Sequence, residues 1–212
     1  PIRVSPHNPD VVYHCSQYVH RSPDGGRSWE VISPDLTTDK DKFQDIPGGP
    51  IQHVHTGVEL YTTIFAFEES AQTAGELWAG SDDGRVHISR DNGKNWKEIT
   101  PSNIPLEGTV NMIELSSHAP GRALIAVHKY RENDFKPYIF LTNNYGQSWT
   151  LLTDGKNGIP ADHYVKVVRE DPKRKGLLYA GTEYGMYVSF DEGKNWQNFQ
   201  FNLPPVSIAD LA

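Results

Sequence analysis

Cysteine is all but missing from this 212-residue sequence: Cys15 stands alone, so no disulfide can close within the chain and no cysteine-based zinc cage can be built from it. Long apolar runs are missing too. The longest uncharged apolar stretches are strand-sized, as in Tyr61–Phe67, far below the roughly 18 residues that a membrane-spanning helix needs. Positive charge is sparse: 20 Lys and Arg face 27 Asp and Glu, a formal charge of −7, and the longest basic run is Lys173-Arg174-Lys175. A phosphate backbone finds no basic stripe here, so nucleic acid is not an expected partner. There is no Asn-x-Ser/Thr sequon, no opening Met and no charged-then-apolar leader; a signal peptide, if the protein has one, is expected to have been removed or to lie outside this sequence.

Glycine (18), proline (15) and aromatic residues (5 Trp, 10 Tyr, 8 Phe) are plentiful instead, a composition that favours many short strands joined by tight turns. The expected class is all-β. An internal repeat sharpens this. The octads Ser22–Trp29, Ser89–Trp96, Thr142–Trp149 and Ser189–Trp196 share the pattern Ser/Thr-x-Asp/Asn-x-Gly-x-x-Trp, with Asp24, Asp91, Asn144 and Asp191 at the third place and Gly26, Gly93, Gly146 and Gly193 at the fifth. Their tryptophans lie 67, 53 and 47 residues apart, close to the period of about 40 to 50 residues of propeller blades. In each octad the Asp or Asn side chain can accept from nearby backbone N–H groups, Gly supplies a positive φ, and Trp packs back as an apolar anchor.

Each octad then sits between the third and fourth strands of a four-stranded unit. The expected units are blade 1 at about 1–36, blade 2 at 60–101, blade 3 at 109–154 and blade 4 at 164–202, with the first strand of a further blade at 206–212. Strands expected in blade 2, for instance, are Tyr61–Phe67, Glu76–Gly80, Arg85–Ser89 and Trp96–Thr100. This organisation reads as a partial β-propeller, part of a larger one, completed by further blades or by another chain.

The octads are identified as Asp-boxes, also called BNR repeats, and resemble those of sialidase, xyloglucan-hydrolase and sortilin-type propellers. Ile32–Leu36, Asp171–Glu183 and Asn202-Leu203-Pro204 are similar to segments of large bacterial sortilin-like or glycosyl-hydrolase-like BNR-repeat proteins. The resemblance implies a structural role for the box residues and a secreted or periplasmic location. It also implies either a binding and scaffold module for a protein, peptide or glycan, or a glycoside hydrolase of xyloglucanase or sialidase type with an incomplete site in this segment. Arg3, in Pro1-Ile2-Arg3-Val4, does not match the Phe/Tyr-Arg-Ile-Pro segment of sialidases, so sialidase chemistry is not expected here.

Ligands of propellers meet the end formed by the loops between second and third strands and between blades. That end collects Asp82 and Asp83, then Tyr130, Arg131, Glu132 and Asp134, then Glu183 and Tyr184, together with His53, His55, Glu59 and His163 from the inter-blade loops. Asp82, Asp83 and Glu183 are the candidate acid, base or nucleophile, since glycosidases need two carboxyl groups about 5 to 9.5 Å apart. Their plainer reading is that they bond the backbone of their own turns. Trp78 or Tyr130 could stack on a sugar ring. His53 and His55 have strand spacing that suits a metal, but no third ligand is indicated, and neither metal nor cofactor is expected. Lys173–Lys175 reads as a solvated hairpin tip, and Cys15 as a small buried hydrophobe.

Overall fold

The computed structural model describes residues 1–41, 44 and 61–211. His53, His55 and Glu59 lie outside the described residues. Short apolar alternations bounded by Gly-containing turns become strands, and the strands pair only with their sequence neighbours. Blade 1 holds β1 (Ile2–Val4), β2 (Val12–Cys15), β3 (Val19–Ser22) and β4 (Glu30–Val31); blade 2 holds β5 (Ile64–Glu69), β6 (Leu77–Ser81), β7 (Val86–Ser89) and β8 (Lys97–Glu98). Blade 3 holds β9 (Thr109–Leu115), β10 (Ala123–Lys129), β11 (Asp134–Thr142) and β12 (Thr150–Leu151), and blade 4 holds β13 (Val165–Glu170), β14 (Leu178–Thr182), β15 (Gly185–Ser189) and β16 (Gln197–Asn198). Each blade is a four-stranded antiparallel meander. The fold is the all-β propeller-blade architecture that the repeat implies.

Two expectations need correction. The fourth strands are two residues long, not five or so, and their residues are exposed; at the outer rim only one face touches the rest of the sheet, so little holds a longer ladder together. Residues 206–211 form no strand, because the run has no ladder partner among the described residues. They lie against blade 4 instead: the Ile208 amide donates to the Thr182 carbonyl at 2.9 Å, and Ile208 and Leu211 pack on its apolar face. Their role as the start of a further blade stands as a proposal.

The core is divided among the seams between blades. Tyr13, Val19, Phe67 and Leu77 fill the first seam, Trp78, Val110, Ile113 and Ile125 the second, Leu124, Ile139, Val167 and Leu178 the third. Each fully buried side chain of this size contributes about 1.5–3 kcal/mol, so each blade draws much of its stabilisation from its neighbour. Gly80 shows how close the blades come: a Cβ there would sit 2.4 Å from Val110.

The Asp-boxes build the turns at one end. Ser22, Ser89, Thr142 and Ser189 accept from the Gly26, Gly93, Gly146 and Gly193 amides at 2.7–3.0 Å. The carboxylates of Asp24, Asp91 and Asp191 each accept a backbone and a side-chain bond from Ser28, Asn95 and Asn195. Asn144 keeps the turn by reversing one bond: its amide nitrogen donates to Ser148 at 2.9 Å. Beyond the turn, each tryptophan reaches the preceding blade. The indoles of Trp96, Trp149 and Trp196 donate to the carbonyls of Ile32, Ile99 and Leu152 at 2.8, 2.6 and 3.4 Å. Trp29 differs, being 47% exposed and donating to Gly26 of its own box.

Candidate functional site

The innermost strands of blades 2, 3 and 4 share a second repeated feature that their sequences do not advertise. Ile64 pairs with Ser81 and Ala66 with Gly80, leaving Phe65 unpaired. The same register shift leaves Asn111 unpaired in β9 and Lys166 in β13. A bulge of this kind re-aims the extra side chain out of the ladder. All three residues line one cleft of about 680 Å³, at the end opposite the boxes, within the range of small-ligand sites.

The rest of the cleft wall comes from Tyr61, Thr63, Asp82, Thr109, His128, Tyr130, Arg131 and Ala209. Tyr130 and Arg131 belong to a short 3-10 turn, Tyr130–Glu132, closed by Asn133 at a φ of 60°. Tyr130 stacks on the buried Tyr164 at 4.7 Å between ring centroids, and His128 flanks it at 4.9 Å. The Tyr164 hydroxyl donates to Glu183 at 2.9 Å, and Lys166 bridges Glu183 at 2.6 Å and Ser207 at 2.7 Å. The Asn111 side-chain amide donates to the Lys166 carbonyl and so ties two of the bulges together.

The candidate carboxylates have other work. Asp82 is buried and accepts from the Thr63 amide at 2.8 Å and the Thr63 hydroxyl at 3.1 Å. Burial raises its pKa above the ordinary aspartate value, against the pull of those bonds. Asp83 is buried in the same turn, accepting from Ser81, from the Thr38 amide at 2.7 Å and from the Thr38 hydroxyl at 2.6 Å, so it joins blade 2 to the segment leaving blade 1. Glu183 is held below the ordinary glutamate range, chiefly by its bond with Lys166. Asp82 is thus on the cleft wall, Asp83 behind it, and Glu183 next to a wall residue.

Of the other sequence candidates, Tyr130 and Arg131 stand in the cleft. Tyr184 is exposed and sits 4.8 Å from the His163 ring, which meets the Tyr187 hydroxyl at 2.8 Å; neither is among the cleft residues. Asp134 accepts from Tyr138 at 2.7 Å. Trp78 is fully buried, donates to Glu76 at 3.0 Å, and offers no ring to a ligand. Cys15 is buried, and burial pushes its thiol up to about 12. Among the described residues no group of three or more His, Cys, Asp or Glu side chains could hold a metal ion, and no helix is long and apolar enough to cross a membrane. Sequence reasoning missed Phe65, Asn111, Lys166, His128 and Tyr164. A trace was present: Asn111 and Lys166 each stand between two apolar neighbours, Val110 and Met112 or Val165 and Val167, at matching positions.

With this geometry in view, comparison with known proteins adds three findings. The BNR/Asp-box repeat family matches residues 87–98, the second box and its flanks. The chain carries Asp-box repeats on propeller-like blades. Over 110 residues it is 24% identical to an oligoxyloglucan-reducing end-specific xyloglucanase of Emericella nidulans, covering 51% of this chain and 13% of that enzyme. The blades superpose on the GH74 xyloglucanase of Xanthomonas campestris with a TM-score of 0.65 at 15% identity, and on the GH74 enzyme of Niastella koreensis with 0.65 at 17%. Each match covers 93% of this chain but only 29% and 28% of those structures. The Asp-box chain therefore spans less than a third of the length of the proteins it resembles, and the likeness at this identity is one of fold.

Proposed function

We propose that the Asp-box chain is a carbohydrate-binding propeller module, with the cleft at the mouth of its blades as the glycan subsite. The observation that carries this is the set of bulges. Three innermost strands each turn one residue, Phe65, Asn111 and Lys166, into a space already walled by Tyr130 and Arg131. Apolar ring faces beside a few fixed polar groups suit a sugar, whose faces are apolar and whose edges are hydroxyls. A secreted or periplasmic setting is part of the same proposal. Calorimetric titration with neutral oligosaccharides, xyloglucan fragments included, tests it. Binding should be present and should fall at least tenfold in Tyr130→Ala; no binding at millimolar sugar, or equal binding by the variant, overturns it.

A second reading, a glycoside hydrolase, is favoured by one observation: Asp82 faces the cleft with a raised pKa, as a general acid requires. Turnover of xyloglucan oligosaccharides that disappears in Asp82→Asn would establish it. Against it, both Asp82 oxygens are engaged by Thr63 and the Glu183 carboxylate by Lys166.

A further inference from the structure

The pairing registers make the blades superposable residue by residue: Val4, Glu69, Leu115 and Glu170 end their innermost strands opposite Val12, Leu77, Ala123 and Leu178. On that correspondence two internal seams, between blades 1 and 2 and between blades 3 and 4, are built alike at the box end. His7 meets the Ser70 carbonyl at 2.7 Å, as His118 meets that of Asp171. Ser5 accepts from the His7 amide at 3.2 Å, as Ser116 does from the His118 amide at 3.1 Å. Glu69 accepts from the Gly75 amide and Glu170 from the Gly176 amide, both at 2.9 Å. The Asn92 and Glu192 amides donate to the carbonyls of those same two glycines at 2.9 and 3.0 Å.

One side chain breaks the correspondence. Between blades 3 and 4, Arg122 lays its guanidinium on Glu170, with Nη2 at 2.7 Å from Oε1 and Nε at 3.1 Å from both carboxylate oxygens. Nη1 donates to Asn143 at 2.7 Å, Nη2 lies 3.2 Å from a Glu192 oxygen, and the Ser116 hydroxyl donates to the second oxygen of Glu170. The residue in the place of Arg122 on blade 1 is Val11, whose short side chain leaves a cavity of about 270 Å³. Its wall holds Ser5, Val11, Pro23, Glu69, Gly75 and Asn92, the counterparts of Ser116, Arg122, Asn143, Glu170, Gly176 and Glu192. Both oxygens of Glu170 are bonded, whereas Oε2 of Glu69 is buried without a hydrogen-bond partner. A buried acceptor left so keeps its full desolvation cost until a donor reaches it. Arg21 also lines the cavity, but its Nε and Nη2 donate to Glu30 at 2.8 and 2.5 Å.

We infer that this cavity is a binding site for a guanidinium group, carried by a small molecule or by an arginine of a polypeptide, which takes the place that Arg122 takes in the other seam. Both walls come from blades 1 and 2 of this chain, at a seam already closed. Glu69 supplies the ionic bond, and a guanidinium matches it better than an ammonium does, because its planar fork meets two carboxylate oxygens side by side. The Asn92 side chain stands where Glu192 receives a second nitrogen, and Val11 and Pro23 offer an apolar wall to the methylene stem of an arginine.

Nuclear magnetic resonance titration of the 212-residue chain with methylguanidinium, with a blocked Gly-Arg-Gly peptide and with its Gly-Lys-Gly counterpart tests the inference. The guanidinium probes should give saturable shifts at millimolar concentration, and the lysine peptide should bind at least fivefold more weakly. Stronger binding of the arginine peptide than of methylguanidinium assigns the site to an arginine of a polypeptide; equal binding assigns it to a small guanidinium compound. Glu69→Gln, which keeps an oxygen for the Gly75 amide, should weaken binding at least tenfold with an unchanged circular dichroism spectrum. Val11→Arg should fill the place from within and abolish binding, while the melting temperature holds or rises. A wild type that binds neither guanidinium probe, as when Arg21 turns inward to occupy the place, overturns the inference. So does equal binding of the lysine peptide, undiminished binding by Glu69→Gln, or binding retained in Val11→Arg.

Discussion

The two ends of the blades obey different rules. At the box end the same turn recurs four times, bonded by the same atoms, with indoles crossing the seams at equivalent carbonyls. At the cleft end the bulge recurs but its residue does not: it is Phe in one blade, Asn in the next and Lys in the third. One end joins the blades by the same bonds at every seam, and the other joins them by different bonds at each, such as Thr38 to Asp83 and Asn111 to the Lys166 carbonyl. Binding chemistry belongs where the repeat breaks.

The comparison breaks if substitutions at the two ends cost the same. The largest effect is expected at the box end, between blades 3 and 4, where Arg122 and Glu170 form a buried pair at 2.7 Å. Burial raises the Glu170 pKa, but its bonds from Arg122, Ser116 and Gly176 outweigh that and leave it below the ordinary glutamate value. Arg122→Ala strands the carboxylate and should cost about 3–5 kcal/mol in urea unfolding. Next comes Gly146→Ala, where φ is +72° and a Cβ would stand 2.5 Å from Ile99; strain and overlap together should cost about 1–3 kcal/mol, read as a lower urea midpoint.

Acid should act on both ends. His87 and His128 are each pushed down to about 4, by burial first. An unfolded chain takes up those protons near 6.5 and the folded one does not, so stability present above pH 6.5 is lost as pH falls toward 4. The melting temperature should drop across that window, and His87→Gln should flatten the drop; a pH-independent melt between 6.5 and 4 would refute the assignment. The smallest stability effect belongs to the cleft, where Tyr130→Ala gives up its stacking on Tyr164 and should cost about 1 kcal/mol, while removing the proposed platform for sugar. A loss comparable to that of Arg122→Ala would show the cleft wall to be part of the scaffold.

The box end was legible in the sequence because its turns need fixed residue types at fixed spacing: a hydroxyl, an acid or amide, a glycine and an indole. Strand bounds followed to within a few residues: the expected Glu76–Gly80 and Arg85–Ser89 are found as Leu77–Ser81 and Val86–Ser89. The cleft was half legible. Tyr130, Arg131 and Asp82 were expected from two turns of the same end, and all three line the cleft. Phe65, Asn111 and Lys166 were hidden because alternation assigns each a side of the sheet, and a bulge overrides alternation. Trp29 misled for another reason. Its octad matches the others, but the indole acts on a neighbouring blade, and a local pattern cannot say whether that neighbour is present.

The backward reach of each box tryptophan also sets a direction for how such a chain comes together. Trp96, Trp149 and Trp196 close on carbonyls 64, 50 and 44 residues earlier, so every seam awaits only the blade made immediately after it. Contacts between elements are confined to neighbours, as in other repeat proteins, where structure spreads from unit to unit. As a chain lengthens, each newly completed turn brings the indole that can seal the blade before it, so indole fluorescence should follow the closing of each seam.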